Sequence, residues 1–84
     1  MIQTFKDAKL LPHEVAKALG INRVTVSMWY NGHTSPHRLH ADKVQNLVDA
    51  VRAAVDSGDL PVSHDIPRRE RWHYISTKLG LTGN

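Results

Sequence analysis

The sequence predicts an all-α fold, a small helical bundle with a C-terminal helix or strand extension, on three observations. Apolar residues recur at spacings of three and four, as in Val15 and Leu19, Val26 and Trp29, and Val44, Leu47, Val48 and Val51. Glycines stand where those runs stop, at Gly20, Gly32, Gly58 and Gly80. At 84 residues the chain has the length of one small domain, which buries only roughly 60% of its unfolded surface and is modestly stable.

The first helix is expected over roughly residues 3 to 10, where Ile2, Phe5, Leu10 and Leu11 supply the apolar side. Pro12 suits the first turn of a second helix, where its missing amide has no intrahelical partner, and "PHEVAKAL" then runs to Gly20. Asn22 is placed to cap a third helix with its side-chain oxygen, and Val26 and Trp29 are its buried positions before Asn31-Gly32. "HTSP" is a turn by composition, with a short turn or helix starting at Pro36. A long helix follows from Ala41 to Ser57, with Val44, Leu47, Val48, Val51 and Val55 on one face and Gly58 as a left-handed stop. "DLPVSHDIP" reads as a connector. In "PRRERWHYISTKLG", Trp72, Ile75 and Leu79 have helical spacing, while a strand over "RWHYIST" competes because Trp, Tyr, Ile and Thr suit strands. The division is therefore residues 1–58 as the main domain, 59–66 as connector and 67–84 as extension.

The net charge of +3 is unevenly distributed. Residues 1–43 and 67–84 each carry +3, and the intervening segment carries −3 through Asp49, Asp56, Asp59 and Asp65 against Arg52. No apolar run approaches the roughly 18 residues of a membrane span, and "MIQTFKDAKLL" lacks the pattern of a signal peptide. The absence of cysteine excludes disulfides, thiolate metal sites and a cysteine nucleophile, and fits a cytoplasmic setting.

Two short helices joined through a glycine, followed by a third with its own polar side, form the outline of a helix-turn-helix. Residues 12–31, "PHEVAKALGINRVTVSMWYN", resemble the helix-turn-helix of phage Cro and repressor proteins, the XRE family. Ala16 stands where that family has a small residue between its helices, and Gly20 where the turn needs positive φ. Val15, Leu19, Ile21, Val26 and Trp29 stand at its core positions. The resemblance covers residues 4–57, leaves the tail outside, and implies a fold of the lambda-repressor-like type. One departure is at the start of the second helix: the family commonly has a hydrogen-bonding residue there, and this chain has Leu11 and Pro12.

The resemblance implies that Arg23, Val24, Ser27 and Met28 reach base edges in the major groove. Their chemistry allows it, since Arg23 can donate two hydrogen bonds to guanine, Val24 or Met28 can touch a thymine methyl, and Ser27 can bond either way. The competing reading makes Val24 and Met28 core or dimer contacts and Arg23 a phosphate contact. Phosphate contacts are expected from His13, Lys17, Thr25, Asn31, His33, Thr34, Arg38 and Lys43.

His33, His37 and His40 have a spacing that on one helix would suggest zinc, but Pro36 interrupts them and no cysteine or paired carboxylate stands beside them. They are read as surface histidines, and no metal or cofactor is expected. No phosphate-binding glycine loop or nucleophile motif is present, so an enzyme is not expected. Trp72, Tyr74, Ile75 and Leu79 are expected to pair with the same segment of a second copy, the alternative being that they cover their own domain. Arg68, Arg69 and Arg71 are candidates for an additional DNA-touching arm.

The function implied by the resemblance is a transcriptional regulator that occupies a double-stranded DNA operator as a homodimer. Two rivals stand beside it: an antitoxin-type autorepressor whose extension binds a protein toxin, and a phage-encoded inhibitor that uses the same scaffold to bind a host protein.

Overall fold

The computed structural model describes residues 2–81. Of the extension expected over 67–84, residues 82–84 lie outside the described residues. The described chain is all-α: α1 (Ile2–Asp7), α2 (Pro12–Leu19), α3 (Arg23–Tyr30), a 3-10 turn (Arg38–His40), α4 (Ala41–Asp56), a second 3-10 turn (Arg68–Glu70) and α5 (Arg71–Lys78).

The first helix ends earlier than its apolar pattern predicts. Lys9 adopts a left-handed conformation (φ 58°), and the Leu10 amide donates back to the Phe5 carbonyl at 3.0 Å. A non-glycine residue there costs roughly 1–2 kcal/mol. The bend drops Leu10 into the core at 4% exposure, and burying such a side chain returns about 1.5–3 kcal/mol. With no glycine at this bend, nothing local in the sequence marks it.

α2 and α3 make the most extensive contact of any two elements. Gly20, at φ 70°, closes α2 in a left-handed cap with its amide toward the Ala16 and Lys17 carbonyls, a conformation glycine reaches without a Cβ penalty. Two residues later Asn22 accepts a hydrogen bond from the Val24 amide at 2.7 Å and starts α3, as its position predicts. Val15, Ala16 and Leu19 of α2 and Val26 and Trp29 of α3 are all buried. The two helices therefore share one core, held at a set angle by a three-residue turn.

α4 packs against α1 and α2 and buries Val44, Leu47, Val48, Val51 and Ala54. Val55, expected on the buried face, is 40% exposed. At the last turn the returning chain covers Ala54, whose carbonyl accepts from the Asp59 and Leu60 amides, while Val55 borders a shallow depression with Thr4, Asp7 and Arg52. The connector is part of the domain's core, with Leu60 at 3% and Val62 at 9% exposure.

Over 71–78 the helix prevails against the strand. Ile75 enters the core at 1% exposure, and Trp72, Tyr74 and Leu79 pack against it part-buried. Ile75 and the inner sides of Trp72, Tyr74 and Leu79 thus cover their own domain. A partner chain could reach only their outer edges, because an apolar side chain already buried has little further area to remove from water.

Candidate nucleic-acid interface

The outward side of α3 carries Val24, Ser27 and Met28 at spacings of three and four, beside Arg23 in the first turn. Val24 is 59% and Met28 39% exposed, while Val26 at 0% and Trp29 at 4% hold the opposite side in the core. This settles the competing core reading for Val24 and Met28, because a helix anchored by Val26 and Trp29 turns both away from the interior. Arg23, Val24 and Ser27 line a depression of about 380 Å³ together with Pro12 and His13 from the first turn of α2. No carboxylate borders it, so its electrostatics are set by Arg23 and His13.

The segment after α3 brings further expected residues close. Asn31 caps the helix end with its amide toward the Ser27 carbonyl, and the His33 amide donates to the Met28 carbonyl at 2.9 Å. Thr25 is half-buried, and His33, Thr34 and Arg38 are exposed. His37 is occupied structurally, its Nδ1 accepting from the Leu39 amide at 3.1 Å to start the 3-10 turn. The His40 ring lies 6.5 Å from that of Trp29. Among the described residues no group of three or more His, Cys, Asp or Glu side chains is arranged to hold a metal ion. From Asn31 to Ala41 the chain has no acidic residue, and α3 itself carries none.

Lys17 and Lys43 are gathered elsewhere. Both line a second groove with Leu47, Leu79 and Leu81, and the Lys17 ammonium lies 5.5 Å from the centre of the Trp72 ring. Lys17 sits one turn after His13 on α2, but its charge is drawn toward the C-terminal helix by that aromatic face.

The least expected group is Glu14, whose carboxylate is 2% exposed. It accepts from the Leu11 amide at 2.8 Å, and Arg71 clamps it with Nε to Oε2 and Nη2 to Oε1, both at 2.9 Å. The same Nη2 donates to the Lys9 carbonyl at 3.1 Å. Arg71 is therefore spent inside the domain and is not available to a DNA-touching arm. Its hydrogen bonding to Glu14 raises the guanidinium's already high pKa against the opposing effect of burial. Arg68 and Arg69 remain exposed.

Sequence reasoning passed over this pair because 57 positions separate its members. The available signal was Glu14 at the third position of a helix started by Pro12, where a glutamate reaches back to the residue before the helix. Tyr30 was passed over as well. Its hydroxyl donates to the Leu10 carbonyl at 2.9 Å, tying α3 to the bend after α1. Burial, with the Glu14 carboxylate adding, pushes its phenol pKa well above the usual value.

Comparison with protein-family models, curated proteins and solved structures returned no match.

Proposed function

We propose that this chain is a sequence-specific double-stranded DNA-binding regulator of the helix-turn-helix type, resembling phage Cro and repressor proteins, that occupies an operator as a homodimer and limits or tunes polymerase access. The observation that carries the reading is the division of α3. One side is locked into the core by Val26 and Trp29, and the other exposes Arg23, Val24 and Met28 with Ser27 half-buried beside them, Arg23, Val24 and Ser27 lining an acid-free depression. Such a side offers a guanine-pairing fork, a methyl-contacting surface and a hydroxyl, the chemistry that distinguishes base pairs in the major groove.

His13, Thr25, Asn31, His33, Thr34 and Arg38 are the proposed backbone contacts, which fix register without reading sequence. Lys17 and Lys43 are left out of this set because they share a different groove. Two copies on an inverted repeat, with recognition helices about one DNA turn or roughly 34 Å apart, would supply the specificity a single short helix lacks.

The antitoxin alternative calls for a tail free to bind a toxin, and Ile75 in the core speaks against it. The protein-inhibitor alternative is favoured by the exposed apolar side chains of Val24 and Met28. Selection of bound sequences from random duplex DNA separates the classes. An enriched inverted repeat with half-sites about 10 base pairs apart supports the regulator. Weak, sequence-independent retention that vanishes at moderate salt would overturn it.

A further inference from the structure

We propose that the groove between the end of α2, one stripe of α4 and the end of α5 is a docking site for an acidic, leucine-bearing helical segment of a partner protein. The groove has a volume of about 490 Å³ and is lined by Lys17, Lys43, Leu47, Ala50, Leu79 and Leu81 among others, none of them acidic. Its floor is apolar. Lys43, Leu47 and Ala50 follow one another along α4 at spacings of four and three, the register that an incoming helix matches with its own anchors at three, four and seven.

Charge chooses the partner. Among the described residues the ion pairs are Arg71 with Glu14 and Lys78 with Asp59, so neither groove lysine has a carboxylate within 4.0 Å. Lys17 is further restrained over the Trp72 ring at 5.5 Å, which reduces the entropy lost when a carboxylate meets it. Leu81 is 38% exposed, yet its amide is fixed to the Ser76 carbonyl at 2.8 Å. A preset apolar contact in a groove that also holds two lysines without carboxylate partners suits a ligand that carries both leucine-like side chains and carboxylates.

A DNA backbone satisfies only half of this description, because it brings phosphates but no aliphatic surface to cover Leu79 and Leu81. A second copy fits poorly as well. Its other exposed large apolar residues are Val24, Met28, Leu39 and Val55; Arg23 and Arg38 stand beside Val24 and Leu39 in sequence, and Val55, which shares its depression with Asp7, Arg52 and Asp56, is a single short side chain with no leucine beside it. Like charges brought together at a contact disfavour it. The docking site is independent of the DNA reading, since it uses neither Arg23 nor the outer side of α3.

The test titrates the full chain, carrying labelled methyl groups, with a short amphipathic peptide of leucine and glutamate and with its counterpart in which lysine replaces every glutamate. The expected result is saturable binding of the glutamate peptide, with shifts concentrated at Leu47, Leu79 and Leu81. The lysine peptide should bind at least about tenfold more weakly. Lys17→Glu with Lys43→Glu should reverse that order. Should this variant fold poorly, Lys17→Gln with Lys43→Gln should still lose most of the preference.

Equal binding of the two peptides, or shifts centred outside the groove, would overturn the proposal. So would a preference untouched by the lysine substitutions. Operator titration and sedimentation of the same variants identify the other occupants. A smaller salt dependence of duplex binding would assign the lysines to phosphates, and loss of a dimer present in the parent would assign the groove to a second copy. Retained operator binding alongside failed peptide binding would refute the docking site and leave the DNA reading standing.

Discussion

Replacing Arg71 by methionine isolates the contribution of the buried ion pair, because the aliphatic stem is largely kept and the fork removed. In the parent, the Glu14 carboxylate receives the Leu11 amide at 2.8 Å and two Arg71 donors at 2.9 Å, at a side-chain exposure of 2%. In Arg71→Met only the amide is left, and a buried charge stands uncompensated. Removing one member of such a pair costs about 3–5 kcal/mol. Arg71 itself keeps 20% exposure, so water partly reaches the vacated side and the lower figure, about 3 kcal/mol, applies. The lost bond to the Lys9 carbonyl adds little, since water can replace a donor to an exposed group. For a domain of this size each 1 kcal/mol moves the melting midpoint by roughly 4–8 °C, so the variant should melt about 12–24 °C below the parent. Removing the charge as well, in Glu14→Gln with Arg71→Met, should recover about 2 kcal/mol, because a neutral amide needs no counter-charge and its oxygen can still accept from Leu11. The assay is thermal and urea unfolding followed by helical circular dichroism, with unchanged denaturant slopes. Arg71→Met melting with the parent, or the double variant melting no higher than the single one, would refute the account of this pair.

Three other outcomes are expected. Trp29→Ala, at a site 4% exposed, should cost about 3–5 kcal/mol and abolish DNA binding through unfolding, which a melt of the variant checks. Arg23→Ala should leave the melt nearly unchanged but lose roughly 1–3 kcal/mol on the selected operator and relax preference at one guanine per half-site. An equal loss on unrelated duplexes would make Arg23 a phosphate contact. Tyr30 has a folded phenol pKa raised above its unfolded value. The stability it contributes is therefore fully present below about pH 10 and lost as pH rises from there toward the folded value. Tyr30→Phe should remove that part of the alkaline destabilisation while costing about 1 kcal/mol at neutral pH.

The helices were legible wherever their cause is local. Asn22 caps α3 and Gly20 closes α2 because each acts on backbone groups within a few residues. The apolar spacing of Val26 and Trp29 then assigns the outward side of α3, while the base-reading role of Arg23, Val24, Ser27 and Met28 on that side is implied only by the resemblance. Their grouping with Pro12 and His13 was harder to foresee, since it depends on the angle between two helices.

What the sequence determined by itself is the helical register, the turn at Gly20 and the two-sided character of α3, all set by interactions within one or two helical turns. Tertiary structure alone decided how residues 67–81 pack on their own domain. The spacing of Trp72, Ile75 and Leu79 marks an apolar face, but an apolar face is indifferent to whether a second copy or its own domain covers it, because burial is non-directional. That packing came from long-range partners: Arg71 reaching Glu14, Tyr74 donating to the Asp59 carbonyl at 3.0 Å, and Ile75 entering the same core as Leu60 and Val62. The same packing turned the chain at Lys9 after α1, exposed Val55 and drew Lys17 toward Trp72. Each of these depends on where a distant segment comes to rest, which periodicity along the chain does not encode.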